Sequence, residues 1–155
     1  MRLNEFITPM PCYYHGTTFA DLRLLKRQPS HLTADGVVFA ATLPEIAIAM
    51  SGHWTDDDFT FGHQTSGSHQ DIRLPRYEMR ELRPHAFADF FDQTMYLYQV
   101  PAKYFVSHPH LQDFEIISHR DVPVHTMTRV DDPLAYLRAS PVLRLVPFSD
   151  GQKPL

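Results

Sequence analysis

The chain has 155 residues, 43% of them apolar and 21% charged, with 14 basic against 18 acidic side chains and a net charge of -4. That length and apolar content fit one folded domain spanning 1–155 and exclude a wholly disordered chain. The acidic excess argues against a non-specific coat on nucleic acid, and the one cysteine, Cys12, leaves no internal disulfide and no thiolate zinc site.

Thirteen prolines spread along the chain predict short elements and many turns. Met10-Pro11-Cys12-Tyr13-Tyr14 predicts a short aromatic strand that runs into a glycine turn at His15-Gly16-Thr17-Thr18. Phe19, Leu22 and Leu25 stand at helical spacing behind Thr18, a suitable N-cap, and predict a helix. Pro29 and Gly36 bracket a loop. The apolar run Gly36-Val37-Val38-Phe39-Ala40-Ala41 predicts a buried strand. A helix is expected next, capped by Thr42, with Pro44 in its first turn and Glu45 as a capping-box partner. Residues 51–70 carry glycine, polar side chains and aromatics without period, the pattern of a long binding loop or lid.

Residues 76–83 are expected to form one or two helical turns ended by Pro84, and 85–92 another short helix. Met95-Tyr96-Leu97-Tyr98-Gln99-Val100 is the strongest strand signal, with Tyr96 and Tyr98 as packing residues. Two more strands are predicted at 113–118 and 124–130, then a capped helix at 131–138 and a surface tail from Pro141. Helices early and strands late predict an α+β domain with mostly antiparallel sheet.

Three pieces in order resemble the ADP-ribosyltransferase superfamily, which includes diphtheria-toxin-like and PARP-like enzymes, small rifampin-modifying transferases and RNA 2′-phosphotransferases. The first is Tyr14-His15-Gly16-Thr17, similar to the family's opening strand. The second is Val38-Phe39-Ala40-Ala41-Thr42 before a helix carrying Ala47, and the third is the strand Phe114-Glu115-Ile116-Ile117-Ser118. The resemblance implies a split antiparallel sheet with short flanking helices and a pocket for NAD. It assigns His15 and Glu115 to catalysis, and His15, Gly16, Thr17, Phe39, Ala40 and Phe61 to NAD. The histidine would bond a ribose hydroxyl, the glycine backbone would grip the nicotinamide amide, and the glutamate would support the ribosyl cation formed as nicotinamide departs. A carboxylate aimed at developing positive charge in a water-poor cleft stabilises the transition state more than the ground state. Aligned on Ala47, Val38 stands where many members have tyrosine, leaving Phe39, Trp54, Phe59 or Phe61 to supply a stacking ring.

The implied activity is transfer of ADP-ribose from NAD to an unknown acceptor (protein, nucleic acid, small molecule or water). The alternatives are a non-catalytic module binding ADP-ribose, NAD or a protein on the same fold, and an RNA 2′-phosphotransferase supported by Arg73, Arg76, Arg80 and Arg83 at helical intervals. Each residue has a plainer account. His15 can end a strand, Glu115 can face solvent with Asp113 as its substitute, and the arginines can form a solvated face with Glu78 and Glu81. Ten histidines include no HExxH or Cys/His zinc pattern, and Asp56-Asp57-Asp58 lacks the glycine and terminal glutamate of a calcium loop, so no metal is expected. No apolar stretch approaches the ~20 residues of a membrane span, and Met1-Arg2-Leu3-Asn4-Glu5 has no signal-peptide run. The expectation is a soluble protein with no membrane partner, cytoplasmic or delivered to another cell.

Overall fold

Residues 11–30, 32–63 and 76–149 are described in the computed structural model of the chain. They form ten strands: β1 (Cys12–Thr17), β2 (Leu24–Leu25), β3 (Val38–Ala41), β4 (Phe59–His63), β5 (Tyr77–Glu81), β6 (Met95–Pro101), β7 (Glu115–Ser118), β8 (Val122–Pro123), β9 (Thr126–Val130) and β10 (Leu143–Val146). Three short helices accompany them, α1 (Pro44–Ala49), α2 (Ala86–Phe91) and α3 (Pro133–Arg138). The fold is mixed α+β. A five-stranded sheet runs β7-β3-β1-β6-β9, a three-stranded sheet β10-β5-β4, and β2 pairs with β8. Every pairing is antiparallel except β5 with β10.

The five-stranded sheet has an apolar core on each face. Leu97 and Met95 from β6 and Ala41 from β3 meet α1, Phe87 and Phe91 of α2, and the inward side chains Phe59, Met79 and Leu143 of the three-stranded sheet. On the other face Val38, Ala40, Val100 and Ile116 pack with Leu25, Phe105 and Val122 under the β2–β8 ribbon. Tyr14 packs against the first core and Tyr13 against the second, both half-buried. With both faces covered, alternation on β1 selects between two interiors rather than between core and water.

The helix expected from Thr18 to Leu25 does not form. Phe19 is 64% exposed, Asp21 takes φ 60° and Leu24–Leu25 is strand β2. The buried Tyr98 hydroxyl holds this segment, donating to the Phe19 carbonyl at 2.6 Å and accepting from the Leu22 N–H at 3.2 Å. Tertiary hydrogen bonds and pairing with β8 outweigh a weak helical period.

Residues 76–83 are not helical either. They contain β5, in which Tyr77, Met79 and Glu81 alternate as buried residues, a period of two that the interleaved arginines disguise. Glu81 is therefore no solvated partner of arginines: 6% exposed, it accepts from Phe87 N at 2.8 Å and Phe148 N at 2.9 Å. The tail from Pro141 supplies β10, and the 51–70 loop contains β4; residues 64–70 of that loop lie outside the described residues. At α1 the N-cap is Leu43 with no side-chain bond, and Glu45 accepts from Ser140 Oγ at 2.8 Å instead of closing a capping box with Thr42. Asp58 is likewise not free in solvent, since it bonds Arg83 Nε at 3.0 Å. The helices near 86–91 and 133–138 form as expected, and Asp132 caps α3 by accepting from Ala135 N at 3.0 Å.

Candidate active site

Three strands bring the predicted residues together. Tyr14 on β1 is paired with Ala41 on β3, and Ala41 with Glu115 on β7. Strand spacing then puts the Glu115 backbone roughly 10 Å from that of Tyr14, although 101 positions separate them in the chain. The β1–β3 ladder holds that single pair, against six pairs between β1 and β6 and four between β3 and β7. The sheet thus parts between β1 and β3 just beyond Tyr14.

His15 sits at the parting. Its Nδ1 lies 2.6 Å from the Phe39 carbonyl oxygen. A carbonyl only accepts, so Nδ1 carries the proton, and in the neutral ring Nε2 is left as an acceptor. Burial pushes the imidazole below its ordinary 6.5, partly opposed by the bond to Phe39. At neutral pH the ring is uncharged with a fixed tautomer.

Gly16 is required by packing. A Cβ there would stand 2.3 Å from the Ala47 carbonyl oxygen and 3.0 Å from Ser51 Cβ. Only a residue without a side chain lets α1 lie this close to β1. Thr17 ends the strand, with Oγ1 accepting from Phe19 N at 3.3 Å.

Glu115 is half-buried at the start of β7. Its carboxylate makes no hydrogen bond or ion pair with another described residue, and burial raises its affinity for a proton. Asp113, the substitute candidate, is exposed and bonded to His63 Nε2 at 3.1 Å.

A cavity of about 330 Å³ is lined by His15, Gly16, Phe39, Ala40 and Glu115, together with Tyr14, Ala41, Ala47, Met50 and Leu111. Five predicted site residues therefore share one cavity. Thr17 lies outside it, in an adjoining cavity of about 590 Å³ that also touches His15, Gly16, Phe39 and Met50 and reaches Phe19, Lys26 and His53. Phe61 is outside too, lining a groove beyond Glu115. Val38 turns away into the second core, and of Phe39, Trp54, Phe59 and Phe61 only Phe39 lines this cavity, where the Tyr14 ring is a second aromatic.

Met50 and Leu111 are lining residues that the sequence did not single out. Met50 falls just after α1, where the helical pattern ends, and Leu111 sits in the turn before β7, a segment without period. Neither position carries a local signal.

Arg76 lies over the Tyr77 ring, Arg80 bonds Glu78, and Arg83 bonds Asp58 and Asp89. None of the three lines either cavity, and Arg73 lies outside the described residues. Among the described residues no three His, Cys, Asp or Glu side chains gather as a metal ion would require. No helix among them is long and apolar enough to cross a membrane. The chain matches no family model, no curated protein and no solved structure.

Proposed function

We propose that the protein is an NAD-dependent ADP-ribosyltransferase, with the parted β1–β3 sheet as the split sheet of that fold. The observation that carries this reading is the carboxylate of Glu115, unpaired among the described residues, sharing one largely apolar cavity with a neutral, tautomerically fixed His15. A half-buried charge without a partner is costly, and a charge developing on a ligand repays it.

In this reading His15 accepts a ribose hydroxyl at Nε2, and the Gly16 backbone and Phe39 ring hold the nicotinamide half. The two cavities, about 330 and 590 Å³, each fall in the ~300–1,000 Å³ range of small-molecule sites and share His15, Gly16, Phe39 and Met50 in their walls. Glu115 faces the ribosyl carbon and stabilises its positive charge as the bond to nicotinamide lengthens. Apolar walls from Ala40, Ala41 and Ala47 limit competing water.

Incubation with NAD and measurement of released nicotinamide tests the assignment. Release that Glu115→Gln abolishes while the fold survives supports it; no release under any condition refutes it. A second reading, a non-catalytic module that grips NAD or ADP-ribose, is favoured by Val38, whose burial at 3% exposure leaves no ring at the family's tyrosine position. Saturable NAD binding without turnover distinguishes it.

A further inference from the structure

Strand β10 ends the three-stranded sheet, with β5 on one side only. The Val142 carbonyl, just before it, accepts from Tyr77 N on β5 at 2.9 Å. Successive carbonyls of a strand point to opposite sides in the plane of the sheet, and each N–H points the same way as its residue's carbonyl. The backbone groups of Leu143 and Leu145 are therefore directed away from β5. Neither residue makes a hydrogen bond to a described residue outside the sheet.

A groove of about 410 Å³ runs along this edge. Leu143, Arg144 and Leu145 line it with Pro147, Phe87 of α2 and Arg138 of α3, and no β5 residue does. Neighbouring strand side chains point to opposite faces, so an opening touched by all three of 143–145 follows the strand's edge. Its described lining contains two guanidinium groups and no carboxylate. Arg144 stands opposite Glu78 in the ladder. Arg138 is exposed in the last turn of α3, and its guanidinium bonds no other described residue.

We propose that this groove binds an extended acidic peptide of a partner protein, which adds to β10 as a further strand. The free N–H and C=O groups of Leu143 and Leu145 need a partner that offers both at strand spacing, and a polypeptide backbone does. A sugar-phosphate chain or a lipid headgroup has no such ladder and would meet the arginines alone. Side chains on one face of the added strand rest on Phe87 and Leu145, and a carboxylate reaches Arg138. The groove shares no lining residue with the two cavities or with the groove beyond Glu115, so it stands whether or not the protein turns over NAD.

The test mixes the full chain with acetylated heptapeptides that alternate valine, leucine or phenylalanine with glutamate, and follows binding by calorimetry. Saturable binding is expected, with amide exchange slowed at Leu143 and Leu145. Arg138→Gln weakens it about fivefold, the upper range for a solvent-exposed ion pair, at an unchanged thermal midpoint, and Arg138→Lys restores most of it. N-methylation of alternate peptide residues, which removes the donors, abolishes binding. No saturable binding by any peptide of the series overturns the site. Equal affinity for wild type and Arg138→Gln overturns the groove as its place, and equal affinity for the N-methylated peptide overturns strand addition. An oligonucleotide that displaces the peptide and binds more tightly overturns the peptide as occupant.

Discussion

His15 Nδ1 and the Phe39 carbonyl oxygen stand 2.6 Å apart across the place where β1 and β3 separate. Beyond the Tyr14–Ala41 pair a side chain, rather than another rung of the ladder, joins the two strands. That bond fixes which ring nitrogen is left as an acceptor, and it ties the histidine to the strand bearing Phe39, which lines the same cavity.

The His15 imidazole is expected to titrate below its ordinary range. Burial lowers its folded-state pKa below 6.5, so on acidification the unfolded chain takes the proton first. The stability that His15 contributes is complete above pH 6.5 and is lost as pH falls from there through the folded pKa. An NMR titration should place the His15 inflection below 6.5 and show Nδ1 protonated at neutral pH; an inflection at or above 6.5 contradicts the geometry.

Glu115→Gln should lower nicotinamide release by at least about 100-fold, the usual scale for losing one group that stabilises transition-state charge. The same change should leave the thermal midpoint equal or higher at pH 7. The sign follows from burial: the folded pKa of Glu115 lies above its ordinary 4.5, so the folded state keeps the proton longer and loses stability as pH rises through that window. The gain from glutamine therefore vanishes below pH 4.5. A variant that unfolds at neutral pH would show that the carboxylate is structural.

Gly16→Ala places a methyl group 2.3 Å from the Ala47 carbonyl oxygen and 2.8 Å from its carbon. Both are backbone atoms, so α1 itself must shift. A loss of about 1–3 kcal/mol in denaturant unfolding is expected. No measurable loss would mean that α1 does not rest on β1 this closely.

Glu81→Ala removes the acceptor of two N–H groups, Phe87 at 2.8 Å and Phe148 at 2.9 Å. The helix α2 has no side-chain cap of its own, because His85 at its N-cap position is left-handed and makes no cap bond. A cost of about 2–4 kcal/mol is expected, and Glu81→Gln should recover part of it by keeping one acceptor oxygen. Equal melting of wild type and the alanine variant would exclude this cap.

The strands at 38–41, 95–101 and 115–118 and the helices at 44–49, 86–91 and 133–138 were legible because each carries its own apolar run or cap, and the strand at 126–130 because β-branched Thr126, Thr128 and Val130 alternate along it. Strand β5 was not, because charged residues between Tyr77, Met79 and Glu81 imitate a helical repeat, and because a buried carboxylate is invisible until its two N–H partners arrive from elsewhere. Strands β4 and β10 are short, and their pairing partner is β5. Without β5 as a strand, neither has a partner that makes it extended.

The sequence by itself determined an α+β chain of short elements, an aromatic strand leading into His15-Gly16, and a glutamate on an apolar strand; the turn expected at Gly16 does not form, because β1 runs on to Thr17. Only the tertiary structure decided that Tyr14, Ala41 and Glu115 align across three strands, that the sheet opens beside His15, and that Phe61 and Thr17 fall outside the shared cavity. The reason is physical. Periodicity and capping are set by neighbours within a few residues, whereas strand register and the meeting of distant side chains depend on closing loops across the whole chain.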